Sequence, residues 1–173
     1  MEFSLTEEQR LLQDSVSRFL TSECPLDRVR EAAESGSSRV DSVWSGLTDM
    51  GIHGIVIPEE HGGVGLPLLE ACLIAEALGH SVAPVPFVAS SVMAPIAILA
   101  AGTDEQKERY LPRIAAGQVV FGVGVTEQIG ARESAGINVE DSRLSGKAMF
   151  VLDGVGADML IVADDTGAMY VVD

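Results

Sequence analysis

The sequence predicts an α+β protein in which helices come first and strands second. Three observations carry this. Two capping boxes, Thr6-Glu-Glu-Gln9 and Thr103-Asp-Glu-Gln106, each open a run of helical character. The helical spacing of apolar residues gives way near Gly117 to short β-type runs. Asp164-Asp-Thr-Gly167 then lies between two such runs as a hairpin turn. Segregated helices and strands argue for separate helical and β units, spanning residues 1–117 and 118–173, and against a βαβ sheet.

After the first capping box, Leu12, Val16, Phe19 and Leu20 share one helical face, and Pro25 stops the helix. Asp27 is placed to cap a second helix ending near Ser35-Gly36. Val43, Leu47 and Met50 mark a third, closed by Gly51. Ile55-Val-Ile57 before Pro58 reads as a short extended piece, and Glu59 to Gly65 as a glycine-rich loop that excludes helix. Pro67 to Leu78 is helical and apolar on most sides, which places it centrally. Val88 to Ala101 is similar, with Pro95 as a kink or a late start. The second capping box opens a helix that Pro112 limits or bends. Strand candidates follow at Val119 to Val125, Ala148 to Leu152, Met159 to Ala163 and Ala168 to Val172. Four strands running to Asp173 leave sheet edges open, so the expectation is that another chain covers them or that the sequence is a piece of a longer protein.

Composition narrows the function. The chain has 173 residues, 47% hydrophobic and only 5% aromatic, so its core is expected to be aliphatic. A formal net charge of −15 repels nucleic acid and anionic membranes at long range. The uncharged stretch from Ser81 to Gly102 is long enough to raise a membrane span, but Pro84, Pro86 and Pro95 interrupt it and no basic cluster flanks it. The N-terminus lacks a basic region followed by an apolar one, and a cytoplasmic protein is expected. Cys24 and Cys72 form no Cys-x-x-Cys pair, Cys72 reads as a small buried hydrophobe, and the three histidines lack metal-ligand spacing.

Few residues carry a chemical signal. The Glu59 to Gly65 loop matches neither phosphate-binding glycine pattern and is read as a tight turn. Glu59, Glu60 and His61 form an ionisable cluster read as solvated rather than catalytic. Thr126-Glu127 ends a strand containing Gly122 and Gly124. It is either a strand-terminating turn or a place where a hydroxyl and an N–H approach a planar cofactor. Phe150, Val151 and Leu152 are either core strand residues or, for Phe150, a side chain packed on such a ring. Lys147 and Arg132 are the candidates to meet a phosphate or carboxylate, against a default of solvated surface.

The run Trp44-Ser-Gly-Leu47 through Gly51 to Pro58-Glu-Glu-His-Gly-Gly63, the run Gly102-Thr103, Gln106-Lys107, Tyr110-Leu-Pro112 and Gly117, and the Thr126-Glu127 pair resemble, in this order, the N-terminal half of the acyl-CoA dehydrogenase family. Phe3-Ser-Leu-Thr-Glu-Glu-Gln9 and the stretch from Leu144-Ser-Gly146 to Ala157-Asp158 extend the resemblance along essentially the whole chain. It implies an N-terminal all-α helical domain followed by the beginning of a β-barrel-like middle domain, with the family's C-terminal four-helix domain absent from this chain. It also implies FAD, an acyl-CoA substrate, an electron-transfer flavoprotein or similar acceptor, and a homo- or hetero-oligomer. The reaction implied is α,β-dehydrogenation to a trans-2-enoyl-CoA. Thr126, Phe150 and Val151 match family positions at the flavin. No residue of this chain is assigned as catalytic base, so the chain by itself is expected to be inactive. Three departures stand out: Gln128 replaces a proline, Arg132-Glu133 occupy the positions of a Ser-Asp pair, and Leu152 replaces a threonine. A family contact to acyl-CoA is thereby lost or taken over by Arg132. These departures suit a divergent subunit that completes a partner's site, or one that keeps the fold without flavin.

Overall fold

Both capping boxes form. In the computed structural model, which describes residues 4–125, 136–141 and 143–173, Thr6 Oγ1 accepts from Gln9 N while the Gln9 side chain accepts from Thr6 N. Helix α1 (Glu7–Glu23) follows and buries Val16 and Leu20. Thr103 and Gln106 repeat the arrangement at the start of α6 (Asp104–Ala115), which continues through Pro112. Between them lie α2 (Leu26–Ser35), α3 (Asp41–Asp49), α4 (Leu68–His80) and α5 (Ala94–Ala101). Gly36 at the end of α2 and Gly51 just past α3 adopt φ of 69° and 74°, the left-handed conformation that closes a helix most cheaply with glycine. Asp27 does not cap α2: Pro25 does, and Asp27 sits in the first turn, where its charge complements the helix dipole.

Two stretches depart from the sequence reading for reasons of compaction. Ile55-Val-Ile57 is not extended. A single tight turn at Ile52–Gly54 runs into Ile55 with helical angles, burying both Ile55 and Ile57. A second such turn, Glu59–His61, occupies the glycine-rich loop that seemed to exclude helix. The loop folds back on itself: Gly63 N and Gly65 N donate to Pro58 O and Ile57 O. A Cβ on Gly63 would collide with the Ile57 carbonyl, so this position requires glycine for space rather than for phosphate.

The apolar run before α5 begins as a wide π-type turn, Val88–Met93, in which Ala94 N reaches back to Ala89 O. Pro95 follows in the first turn of α5, where its missing N–H costs least. Helix α4 buries Ala71, Leu73, Ile74, Ala77 and Leu78 but leaves Leu68 and Leu69 half exposed. Cys72 on the same helix is exposed, contrary to expectation, and Cys24 is the buried one. Among the described residues no helix is long and apolar enough to cross a membrane.

The strands are β1 (Phe121–Gly124), β2 (Gly136–Glu140), β3 (Arg143–Lys147), β4 (Met159–Ala163) and β5 (Met169–Val172). Strand β1 pairs parallel with β4, and β4 pairs antiparallel with β5 through the expected turn. Asp164 organises that turn. Its carboxylate accepts from Thr166 N, Thr166 Oγ1, Ala168 N and Tyr170 Oη, with the Thr166 hydroxyl foremost in holding its pKa below the ordinary range. Strands β2 and β3 form a separate antiparallel hairpin that the sequence did not reveal. The expected strand at Ala148 to Leu152 does not form. Phe150 and Asp153 take φ of 54° and 52°, which breaks the run, and among the described residues Leu152 makes an isolated bridge to Val123.

Two aliphatic clusters hold the layers. One joins α1, α3 and α4 around Val16, Leu20, Leu47 and Ile74. The other packs α5 and α6 on the strands through Ile98, Leu111, Ile114, Phe121 and Ile161, with Tyr110 edge-on to Phe121 at 5.6 Å. Where they meet, His53 is fully buried and stacked on Trp44, with ring centroids 3.7 Å apart. The Trp44 carbonyl can only accept, so His53 Nε2 carries the proton and Nδ1 accepts from the Ser91 hydroxyl. Trp44 Nε1 in turn donates to Gly117 O.

Burial foremost drives the His53 pKa from 6.5 down to about 4; the hydrogen bond to Trp44 opposes this and the Arg39 charge adds to it. Folding therefore favours the neutral ring. The associated stability is complete above about pH 6.5 and drains away as pH falls towards 4, by about 3 kcal/mol. Urea unfolding between these pH values should show that slope, and His53→Gln should lose one proton's worth of it. A second prediction concerns β1. A Cβ on Gly122 would lie 2.8 Å from Leu160 Cδ2, 3.0 Å from Gly154 Cα and 3.2 Å from Leu152 O. Gly122→Ala should cost about 1–3 kcal/mol by overpacking and pry residues 152–154 from the strand. Thermal unfolding measures the first effect and amide exchange at Leu152 the second.

Candidate functional site

The candidate site lies where the 148–154 loop crosses from β1 to the helical layer. Leu152 exchanges two backbone hydrogen bonds with Val123, at 3.0 and 2.9 Å, so the loop is tied to the buried strand. One residue on, Asp153 Oδ2 accepts from Ala89 N at 3.2 Å in the first turn of the π segment. Burial raises the Asp153 pKa, and the Ala89 N–H partly offsets this by favouring the carboxylate. Beneath this crossing runs an open groove of about 680 Å³ between α2, α4 and the 82–88 segment. Ala33, Leu78, Val82, Val85, Val88 and Leu152 give it apolar walls. Among the described residues Asp153 is the one ionisable side chain on its lining.

The sequence candidates fall as follows. Phe150 is 60% exposed and Leu152 49%, so neither is the core strand residue that one reading allowed. Val151 is half-buried and turns towards β1: a Cβ on Gly124 would lie 3.0 Å from Val151 Cγ2. On their Cβ side Gly122 and Gly124 make room for the chain's own Leu160, Gly154 and Val151. Lys147 is exposed at the end of β3 and lines a separate hollow of about 420 Å³ with Ile137, Leu144 and Leu160. Thr126 and Arg132 lie outside the described residues. Glu60 and His61 form only a long ion pair of 3.8 Å.

A planar redox cofactor needs an apolar or aromatic wall and, at its polar edge, hydrogen-bond donors. Phe150 and Leu152 fit the first requirement, projecting from a loop that is anchored on both sides. Leu152 supplies no donor from its side chain. The sequence reading missed Asp153, Ser90 and Ser91. The Asp153-Gly154 step was a visible turn signal, because Asp tolerates positive φ. The two serines were the polar interruption of an otherwise apolar run; Ser90 Oγ accepts from Phe121 N at 3.1 Å and so docks the π segment onto β1.

This geometry has counterparts. Residues 6–118 match the family described as acyl-CoA dehydrogenase, N-terminal domain. The chain is similar to mitochondrial isovaleryl-CoA dehydrogenase of Pongo abelii, with 28% identity over 91% of this chain and 39% of that protein. Its fold is similar to that of a chain in the ChsE4-ChsE5 complex from Mycobacterium tuberculosis, with 27% identity and a TM-score of 0.87, covering 99% of this chain and 48% of that one. It is also similar to a chain of the G363A variant of the Tcur3481-Tcur3483 steroid ACAD, with 33% identity and a TM-score of 0.83, over 96% of this chain and 48% of that one. The chain thus spans about half the length of these solved relatives. With the family match covering most of its length, and a helical N-terminal half leading into a few strands, the chain belongs to the acyl-CoA dehydrogenase family.

Proposed function

We propose that this chain supplies the helical layer and the start of the strand layer of an FAD-dependent acyl-CoA dehydrogenase. The division between the two is read at 117/118, and the reaction introduces a trans double bond α,β to an acyl-CoA thioester. The observation that supports this most is the apolar groove that ends beneath Leu152, on the loop carrying the candidate flavin residues. An acyl chain fits such a groove by apolar burial, worth about 0.8 kcal/mol per methylene. FAD, when bound, accepts the β-hydride; this chain's part is to hold the acyl chain and to wall the ring with Phe150 and Val151, with Thr126 donating at its polar edge. Arg132 is the candidate contact to the acyl-CoA. The proton-abstracting base is not assigned to any residue of this chain. The partners proposed are an acyl-CoA, an electron-transfer flavoprotein or similar acceptor, and further subunits in a homo- or hetero-oligomer, in the cytoplasm.

A second reading has its own observation. Leu152 leaves the ring wall without a side-chain hydroxyl, and that suits a subunit that keeps the fold and completes a partner's site without holding flavin itself.

Flavin absorbance of the purified assembly separates the two. The enzyme reading expects bound or reconstitutable FAD, and Thr126→Ala to weaken it by about tenfold, the scale of one net hydrogen bond. A colourless assembly that FAD cannot reconstitute would leave the second reading standing. In a flavin-loaded assembly, Arg132→Ala should raise KM for acyl-CoA with kcat little changed.

A further inference from the structure

We propose that Asp153 is a positioning residue: by accepting from Ala89 N it fixes the gap at one end of the groove, between Leu152 on the strand side and Val88 on the helical side. The inference deepens the acyl-binding reading and rests on it for the occupant, an uncharged acyl chain, but not for the contact itself.

These two lining residues belong to different layers. Leu152 is anchored to β1 through its paired bonds with Val123. Val88 opens the π segment, whose docking onto β1 runs through Ser90 and whose docking onto the inner helices runs through Ser91 and His53. Those contacts hold the middle of the segment. At its near end, beside the groove, Asp153 reaches across and takes the Ala89 N–H. This is one of the first donors of the segment, a group with no partner inside its own turn. The carboxylate thus works as a cap delivered from another layer, and it sits next in sequence to the wall residue Leu152. Its backbone φ of 52° aims the side chain back towards the helices, a conformation open to Asp, Asn and Gly and strained for most others. Val88 and Leu152 are 47% and 49% exposed, so their mutual packing alone does not fix the gap.

The backbone angle makes a clean pair of variants. Asp153→Asn keeps both the left-handed conformation and an acceptor; Asp153→Gly keeps the conformation and removes the acceptor. The experiment uses the full chain in its native assembly and two readouts: amide exchange at Ala89, and affinity for octanoyl-pantetheine, an uncharged thioester probe that avoids repulsion by the acidic surface. With Asp153→Gly, Ala89 should exchange about tenfold faster and the probe should bind about tenfold more weakly. Asp153→Asn should restore both to within about twofold of the parent. A general loss of structure would not be rescued by Asn in this selective way. Equal behaviour of the parent and Asp153→Gly in both readouts would overturn the proposal, as would an Asn variant no better than Gly. If the parent chain takes up no probe while Ala89 protection still follows the acceptor, the acyl-binding reading falls and the positioning contact stands.

Discussion

The structure depends on satisfying the backbone of one buried strand. All four residues of β1 are buried, and among the described residues the strand has one sheet neighbour, β4. Its remaining polar groups face the interior, where an unpaired N–H or C=O costs about 1–3 kcal/mol. Each partner comes from a different part of the chain. Just before the strand Asp158 Oδ2 takes Val120 N, within it Ser90 Oγ takes Phe121 N, and Leu152 closes a two-way bridge with Val123. The strand is therefore a seam. The π segment, the 148–154 loop and the β4 approach are all registered against it, and the groove opens where the first two meet α2, α4 and the 82–87 stretch.

This dependence explains which features were legible in the sequence. Helix starts were, because Thr6/Gln9 and Thr103/Gln106 are local chemistry that needs no tertiary partner. The hairpin turn at Asp164 was, for the same reason. Two of the failures are places where the tertiary setting overrode the local pattern. Ile55-Val-Ile57 has the composition of a strand, but no strand lies beside it, and burial of its isoleucines is achieved by coiling instead. Phe150-Val-Leu152 has the same composition, yet among the described residues its ladder contact is the single Leu152–Val123 bridge, and the next residue, Asp153, turns away to reach Ala89. The β2–β3 hairpin is polar and exposed for most of its length, and periodicity has little to detect there.

The glycines are a sharper lesson for the site. Gly122 and Gly124 in a strand invited a close approach by a ligand, and close approach is what the structure contains, with the chain's own loop as the visitor. Sequence can report that a Cβ is unwelcome; it cannot say what excludes it. The exposed side of the loop is then the informative one. Phe150 and Leu152 lie there, 60% and 49% exposed, on a loop that the Leu152–Val123 bridge ties to β1.

Electrostatics sets the last constraint. The chain carries a net charge of −15, and the described lining of the groove contains no Lys or Arg. The basic residues nearest in sequence to its helical wall are engaged already: Arg28 lies 3.7 Å from Glu23, Arg30 binds Asp27 and Arg39 binds Asp41. A groove of this kind rewards an apolar chain and gives nothing to a polyanion. If an acyl-CoA is the ligand, its acyl part and its phosphates must then be recognised by different surfaces. The phosphates, repelled by most of this surface at low ionic strength, need cations from Arg132, Lys147 or another subunit. Cutting the ligand down to an uncharged thioester should cost this chain little binding, whereas cutting the acyl chain should cost it much. That asymmetry is the physical signature of a component that holds one end of a substrate in an assembly built to hold both.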